Sequence, residues 1–367
     1  MNHTVKWEKF FKRGTRAIAL PNWQQPRLYV PAETFWQRWK GSFLCPYPKP
    51  KTYKFLYLPP KVGRLLQRVK AALGLLPARI GDARRQLLVD EFVRDVLPDF
   101  QWAAISVGVP GEAQKLTLQL WDSKNQIVGY LKYGEKPLAC ERLAREYRVL
   151  SRVSRDPKPL KFGTLGRGKA LLITPVFGKH ITPTQLPPSP EIVSYIYSLT
   201  VSDPVPLEAH PWVNAFRTDA EPHALQWLEA LRHRKWPVVA FHGDFSPWNI
   251  LQTRGGKIVA IDWEYGSPEG FPYMDLTYYL LQVAYWYLNW PPGKAMEYAV
   301  EFLSHASDAK LTVAEAEAIA RLTAYKSYQL MLEDGHLPEE PPQNWRRKVW
   351  THELYCNGST KSQEKAQ

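Results

Sequence analysis

The chain is poor in cysteine. Only Cys45, Cys140 and Cys356 occur in 367 residues, far apart and with no CxxC pair. That excludes a disulfide-stapled scaffold and a cysteine zinc site, and it suits a reducing compartment. Long apolar runs are missing as well: no stretch approaches the roughly 18 residues of a membrane span. The basic N-terminus is followed only by the short run Ala17-Ile18-Ala19-Leu20, a poor secretory leader. No internal repeat is found, and the 32 prolines follow no Gly-X-Y period, so a fibrous protein is excluded. A hydrophobic content of 45% excludes a wholly disordered chain, because enough apolar surface is present to offset ordering entropy. A soluble cytoplasmic protein is expected, with room for peripheral contact at the inner face of the membrane.

The net charge of +13 is unevenly placed. Residues 1–100 carry 19 Lys and Arg against 7 Asp and Glu, and residues 101–200 carry 14 against 7. Residues 201–367 reverse the sign, with 15 against 21. A basic front joined to a mildly acidic back points to different partners for the two parts. Nucleic acid is not expected among them, since no recognition motif is present.

Length alone suggests about two domains or one large two-lobed one. Residues 1–60 are rich in Pro and Trp and read as irregular, wrapping a surface through aromatic anchors such as Trp23, Trp36 and Trp39. Residues 61–76 read as a basic amphipathic helix. Leu65, Leu66, Val69, Leu73 and Leu76 lie on one face, with Arg64, Arg68 and Lys70 off it. Packing against the neighbouring domain is the default for that face, and an anionic membrane surface is the alternative. A second helix is expected over 82–97, before Pro98.

The period then changes to two. Residues 103–109, 115–122 and 127–133 read as three strands joined by short connections, hence an antiparallel meander. Helix is expected over 137–153, strand over 170–177 and a Pro-rich linker near 182–190. The rest reads as helical over 190–202, 220–234, 273–290, 294–306 and 312–334, interrupted by a β segment over 238–263. The run Leu276 to Trp290 is apolar nearly all round and reads as buried core.

The β segment carries the chemistry. Asp244 is followed five residues later by Asn249, and Asp262 ends the second strand 18 residues after Asp244. Phosphoryl transfer needs one carboxylate to orient the attacking hydroxyl, a second to hold Mg²⁺, and an amide oxygen to complete the metal site. The pattern supplies these as Asp244, Asp262 and Asn249 respectively.

The motif His242-Gly243-Asp244-Phe245-Ser246-Pro247-Trp248-Asn249, followed by Ile261-Asp262-Trp263-Glu264, resembles the aminoglycoside phosphotransferase and choline kinase branch of the protein-kinase-like fold. The resemblance is specific over about 240–280, extends through element order over 100–335, and does not cover residues 1–95. It implies an α+β, two-lobed fold with a small antiparallel-sheet N-lobe, a larger helical C-lobe, and ATP and Mg²⁺ as cofactors. It also implies Lys132 as the phosphate-contacting lysine and Glu146 as its ion-pair partner, Glu141 being the weaker candidate. Asp275 becomes a brace for the catalytic loop, and His242 a structural hydrogen-bonding residue beneath it. Glu264 is read either as a carboxylate near metal or substrate or as a hairpin charge. The stretch Val107 to Glu112 departs from the GxGxxG phosphate loop, and the adenine-contacting linker is expected near Pro175 to Gly178.

The domains expected are a basic extension over 1–98, a nucleotide lobe over 99–180, a helical lobe over 181–356 and a frayed tail over 357–367. The expected function is ATP- and Mg²⁺-dependent transfer of a phosphoryl group to a small-molecule hydroxyl, with a sugar or saccharide as first choice. Residues 61–76 are the expected contact to an anionic membrane or glycan. The alternative is a non-catalytic kinase-like binding module docked by its basic front. The intact set of Asp244, Asn249, Asp262 and Lys132 argues against that alternative.

Overall fold

A computed structural model describes residues 7–11, 13–44, 60–81, 89–153, 155–183, 185–306 and 310–352. The expected tail over 357–367 and the first half of the helix expected over 82–97 lie outside them; the second half contains α3, Val89–Arg94. The chain forms two compact units. One comprises Met1–Thr182, Pro190–Val201 and Val239–Gly270; the other comprises Pro183–Ser189, Ser202–Val238 and Phe271–Gln367.

The first unit is built on an eight-stranded antiparallel sheet. Its strands are β1 (Arg16–Leu20), β2 (Leu28–Pro31), β3 (Ala78–Ile80), β4 (Phe100–Val107), β5 (Leu116–Asp122), β6 (Ile127–Gly134), β7 (Pro159–Leu165) and β8 (Gly168–Ile173), in the order β3-β1-β2-β4-β5-β6-β8-β7. The meander β4-β5-β6 appears where period two predicts it. Helix α4 (Pro137–Val153) follows with Pro in its first turn, where no backbone donor is lost.

Strands β1 and β2 correct the reading of residues 1–60 as irregular, and β3 and β7 were not foreseen. For β1 and β2 the reason is burial on both faces. Ala17 and Ala19 enter the core on one side of the sheet, while Ile18 and Leu20 enter the core on the other. Tyr29 and its neighbours Leu28 and Val30 divide in the same way. A strand of four or five residues buried on both sides shows no polar alternation. The prolines stay out of the strand interiors, with Pro21 and Pro26 in the connection and Pro31 at the end of β2.

Of the expected aromatic anchors, Trp23 packs against Trp7 and Tyr29 while Trp36 is exposed, and Trp7 and Phe10 supply anchors that were not expected. Trp7 lies between Tyr29, Trp23 and Phe11, with ring centroids 5.4–5.7 Å away. Phe10 meets Tyr133 of β6 edge-on at 5.2 Å. The other side of the sheet is covered by α1 (Phe35–Gly41) and α2 (Pro60–Ala72), of which Ala71 enters the core. A capping box between Thr34 and Gln37 starts α1.

The rest of the first unit includes β9 (Lys179–His180) and α5 (Pro190–Tyr197). In the second unit β10 (Val205–Pro206) pairs with β11 (Lys235–Trp236), around α6 (Pro211–Asp219) and α7 (Pro222–Leu225). The chain then returns to the first unit. There β12 (Val239–Phe241) pairs with β15 (Ser267–Gly270), and β13 (Ile250–Gln252) pairs with β14 (Ile258–Ala260) and β9.

The second unit is otherwise helical, with α8 (Met274–Trp286), α9 (Pro292–Ala306), α10 (Val313–Glu333) and α11 (Pro341–Trp350). Helix α10 packs on the other three and opens on a capping box between Thr312 and Glu315. Helix α8 is buried at every position except Tyr285, as its all-round apolar sequence predicts. Among the described residues no helix is long and apolar enough to cross a membrane.

Because Trp7 belongs to the core of the sheet, Trp7→Ala is expected to destabilise the whole first unit by about 3–5 kcal/mol. Denaturant melts followed by circular dichroism check this. An appended, independently attached segment would leave the melt unchanged.

Candidate active site

Three backbone elements of the first unit converge. Strand β6 presents Lys132, helix α4 presents Glu146, and the turn after β14 presents Asp262. The Lys132 ammonium donates to Glu146 Oε1 at 2.6 Å and to Asp262 Oδ1 at 2.7 Å. Glu146 is fully buried, which rules out its being a surface ion pair, and its Oε1 also accepts the Trp263 backbone N–H at 3.3 Å. Glu141, the weaker candidate, lies on the exposed side of α4 and pairs with Arg145. Burial works against the charge on Lys132, but Asp262 and Glu146 outweigh it and keep the amine protonated well above its ordinary value. For Asp262 burial is again overcome, here by Lys132 and Lys115, so its carboxyl stays well below the usual range.

Asp262 has φ +68°, a left-handed conformation that a residue with Cβ adopts at a cost of about 1–3 kcal/mol. Its neighbours maintain it. Ile261 N–H donates to the Asn249 carbonyl at 2.8 Å on one side, and Trp263 N–H is bound by Glu146 on the other. Such strain, imposed by the surroundings, is a mark of a functional turn.

The loop between β12 and β13 carries Asp244 and Asn249. Asn249 Nδ2 donates to the Asp244 carboxylate at 2.9 Å and to its carbonyl at 3.0 Å. Ser246 Oγ donates to Asp244 Oδ1. Phe245 is fully buried and stacks on Tyr195 of α5 at 5.8 Å, which pins the main chain beside Asp244. His242 lies beneath the loop, fully buried. Its Nδ1 accepts the Asp244 N–H at 3.2 Å, and its Nε2 lies 3.0 Å from the Ile261 carbonyl. Burial pushes its pKa down and keeps the ring neutral, so Nε2 carries the proton. Gly243, at φ +81°, is required here, since a Cβ would come within 2.5 Å of the Tyr265 carbonyl.

A second lysine was missed by sequence reasoning. Lys115, immediately before β5, pairs with Glu264 and stands 3.7 Å from Asp262 Oδ1. Burial opposes its charge, but Glu264 and Asp262 raise its pKa overall. Glu264 is therefore part of the cluster. Burial pushes its carboxyl up to about 7, Lys115 opposes this and Asp262 adds to it, so Glu264 takes up a proton before Asp262 does. The signal for Lys115 was the sheet register. Thr117 sits opposite Lys132, and Lys115 is one period of two away on the same face.

Of the remaining expected residues, Asp275 is buried in the first turn of α8, in the second unit. Val107 to Glu112 begins at the end of β4 and continues into the β4–β5 turn. There Gly108 N–H donates to the Lys115 carbonyl at 2.9 Å, closing the turn. Pro175 to Gly178 is an irregular segment leading from β8 to β9, with Phe177 exposed.

Asp262, Glu264 and the Asn249 amide oxygen are hard oxygen donors of the kind that suits Mg²⁺. Asn249 Nδ2 is committed to Asp244, which leaves Oδ1 as the oxygen to offer a cation.

Residues 134–316, about half of the chain, match the model of the phosphotransferase enzyme family. The chain belongs to the phosphotransferase enzyme family. The match begins two residues after Lys132 and takes in Glu146, Asp244, Asn249 and Asp262. This phosphotransferase is similar in structure to an ethanolamine kinase of Plasmodium vivax, at 13% identity and a TM-score of 0.41, over 82% of this chain and 90% of that one. It is similar to the choline kinase LicA of Streptococcus pneumoniae at 15% identity and a TM-score of 0.40, over 71% and 96%. An aminoglycoside phosphotransferase of Streptomyces rimosus matches at 15% identity and a TM-score of 0.36, over 63% and 97%. No curated protein matches the chain.

Lys132→Met would leave Glu146 buried without its cation. It is expected to cost about 3–5 kcal/mol of stability, as removal of one partner of a buried pair does. The same change at Lys161, whose partner Asp95 is exposed, is expected to cost far less. Urea titrations of the two variants make the comparison.

Proposed function

We propose that the phosphotransferase uses ATP and Mg²⁺ to transfer the γ-phosphoryl group to a hydroxyl of a small molecule, with a sugar or saccharide as the acceptor class. The observation that carries this reading is the bridge from Lys132 to Glu146 and Asp262, on a chain whose next loop ties Asn249 to Asp244. It is a set of oppositely charged groups placed to surround a phosphate chain and an attacking oxygen.

In this reading Lys132 binds nucleotide phosphate oxygens, and Glu146 sets its position. Lys115 supplies a second positive charge from immediately before β5. Asp262 and Asn249 would hold the metal, with Glu264 beside them, and the ion would supply charge neutralisation to the phosphate chain. Asp244 accepts a hydrogen bond from the acceptor hydroxyl and directs its oxygen at the γ-phosphorus. Ser246 and Asn249 fix the carboxylate in place for that task. Positioning and charge stabilisation supply most of the rate. The acceptor class follows from the aromatic-rich back half of the sequence and from a basic front suited to an anionic glycan or lipid. Residues 61–76 are the proposed peripheral contact to such a surface.

Transfer of label from γ-labelled ATP across a panel of sugars and small alcohols tests the reading. Asp244→Asn is expected to lower the rate by roughly 100- to 10,000-fold. Asp262→Asn and chelation of divalent ions are expected to abolish it. Undiminished transfer by both variants would refute the mechanism. Wild-type protein that shows no thermal shift with Mg·ATP would instead be the non-catalytic module.

A further inference from the structure

Helix α2 is oriented against expectation. At about 100° per residue, Leu65, Leu66, Val69 and Leu73 span an arc of about 100°. Packing alone would turn this face inward. All four are exposed instead, Leu73 at 62%. The helix buries its small residues, Ala71 and Ala72, and is fastened by arginines on that side. Arg38 donates from Nε to the Ala72 carbonyl at 3.1 Å and from Nη1 to the Ala32 carbonyl at 2.8 Å. Arg68 donates to the Ser42 carbonyl at 3.3 Å and lies over the Phe43 ring at 4.3 Å. The rotation of α2 is therefore set by specific contacts, and the leucine row is the face left for a partner. It continues in chain order through exposed Leu75 to exposed Ile80, on the edge strand β3.

The charge of this stretch of sequence points to the partner. From Thr34 to Gly81 the sequence holds ten Lys and Arg and not one Asp or Glu. Exposed Lys70 flanks the leucine row, whereas Arg79 turns to the opposite face of the sheet, over the Trp23 ring at 4.5 Å. A second copy of the chain does not fit, because a two-fold contact would set this positive segment against itself. Nucleic acid would match the charge but leave the leucines without apolar partners. An anionic bilayer satisfies both, taking the leucines into the headgroup and acyl boundary and the cations against its phosphates and carboxylates.

We infer that α2 and β3 form a docking surface for an anionic membrane, entered by Leu65, Leu66, Val69 and Leu73. This deepens the reading of residues 61–76 as a peripheral contact and is independent of phosphotransfer. The test is co-sedimentation of the full chain with phosphatidylcholine vesicles, with and without phosphatidylserine. Binding is expected only when phosphatidylserine is present, and to weaken as salt is added. Leu66→Glu with Leu73→Glu is expected to reduce it at least tenfold with no fall in melting temperature. Lys70→Glu is expected to reduce it about fivefold or more. No wild-type sedimentation, or sedimentation unchanged in the leucine variant, overturns the proposal. A fall in melting temperature of the leucine variant overturns it too, by showing that the row is covered by the chain itself. So does a wild-type dimer, seen by light scattering, that the variant dissociates. Retention on heparin beads that is lost with Lys70→Glu but not with the leucine changes, without vesicle binding, would assign the surface to a sulfated glycan or another polyanion.

Discussion

The buried Lys132 ammonium is the interaction on which the site depends. It joins a sheet, a helix and a strained turn through two hydrogen-bonded carboxylates, Glu146 and Asp262. Neither Lys132 nor Glu146 would be accommodated at that depth without its partner, since an unpaired buried charge is costly. Together they hold Asp262 at a positive φ and bring the segment after it against α4. Lys115 and Glu264 extend the same network, so this end of the sheet carries two cations facing three carboxylates.

This charge cluster needs a rigid frame, and the frame is larger than a three-stranded meander. Strands β1 to β3 continue the sheet, and Trp7 and Phe10 close one of its faces. The N-terminal segment thus contributes core to the unit that carries Lys132. Its outer helix contributes a different property, an apolar row facing outward, in a stretch of sequence that holds no acidic residue from Thr34 to Gly81. Support and exposure come from adjoining stretches of sequence with different patterns. The two-sided apolar strands go inward, and the amphipathic helix is fastened by its own Arg68 and by Arg38 of α1.

Much of this was legible beforehand. The spacing of Asp244, Asn249 and Asp262 between apolar strands pointed to one loop and one turn, because phosphoryl transfer requires those groups together. Lys132 and Glu146 followed from the family resemblance and element order. The meander and α8 followed from periodicity alone. Lys115 was not legible, since a lysine at a strand end is ordinarily solvated and only the register with β6 turns it toward Asp262. Strands β1 and β2 escaped notice because burial on both faces erases alternation. The rotation of α2 escaped because its own pattern argues for the opposite face inward.

The sequence by itself determined which chemical groups are present, their order along the chain, and the local periods that make β4 to β6, α4 and α8. These depend on neighbours within a few residues, so they can be read from a linear string. Only the tertiary structure decided that Lys132 is shared between two carboxylates, that Lys115 joins them, that the N-terminal segment extends the sheet, and that the leucines of α2 face outward. Each of those is a contact between residues distant in sequence. It is settled by competition between burial, hydrogen bonding and charge across the whole unit, and no local pattern records the outcome.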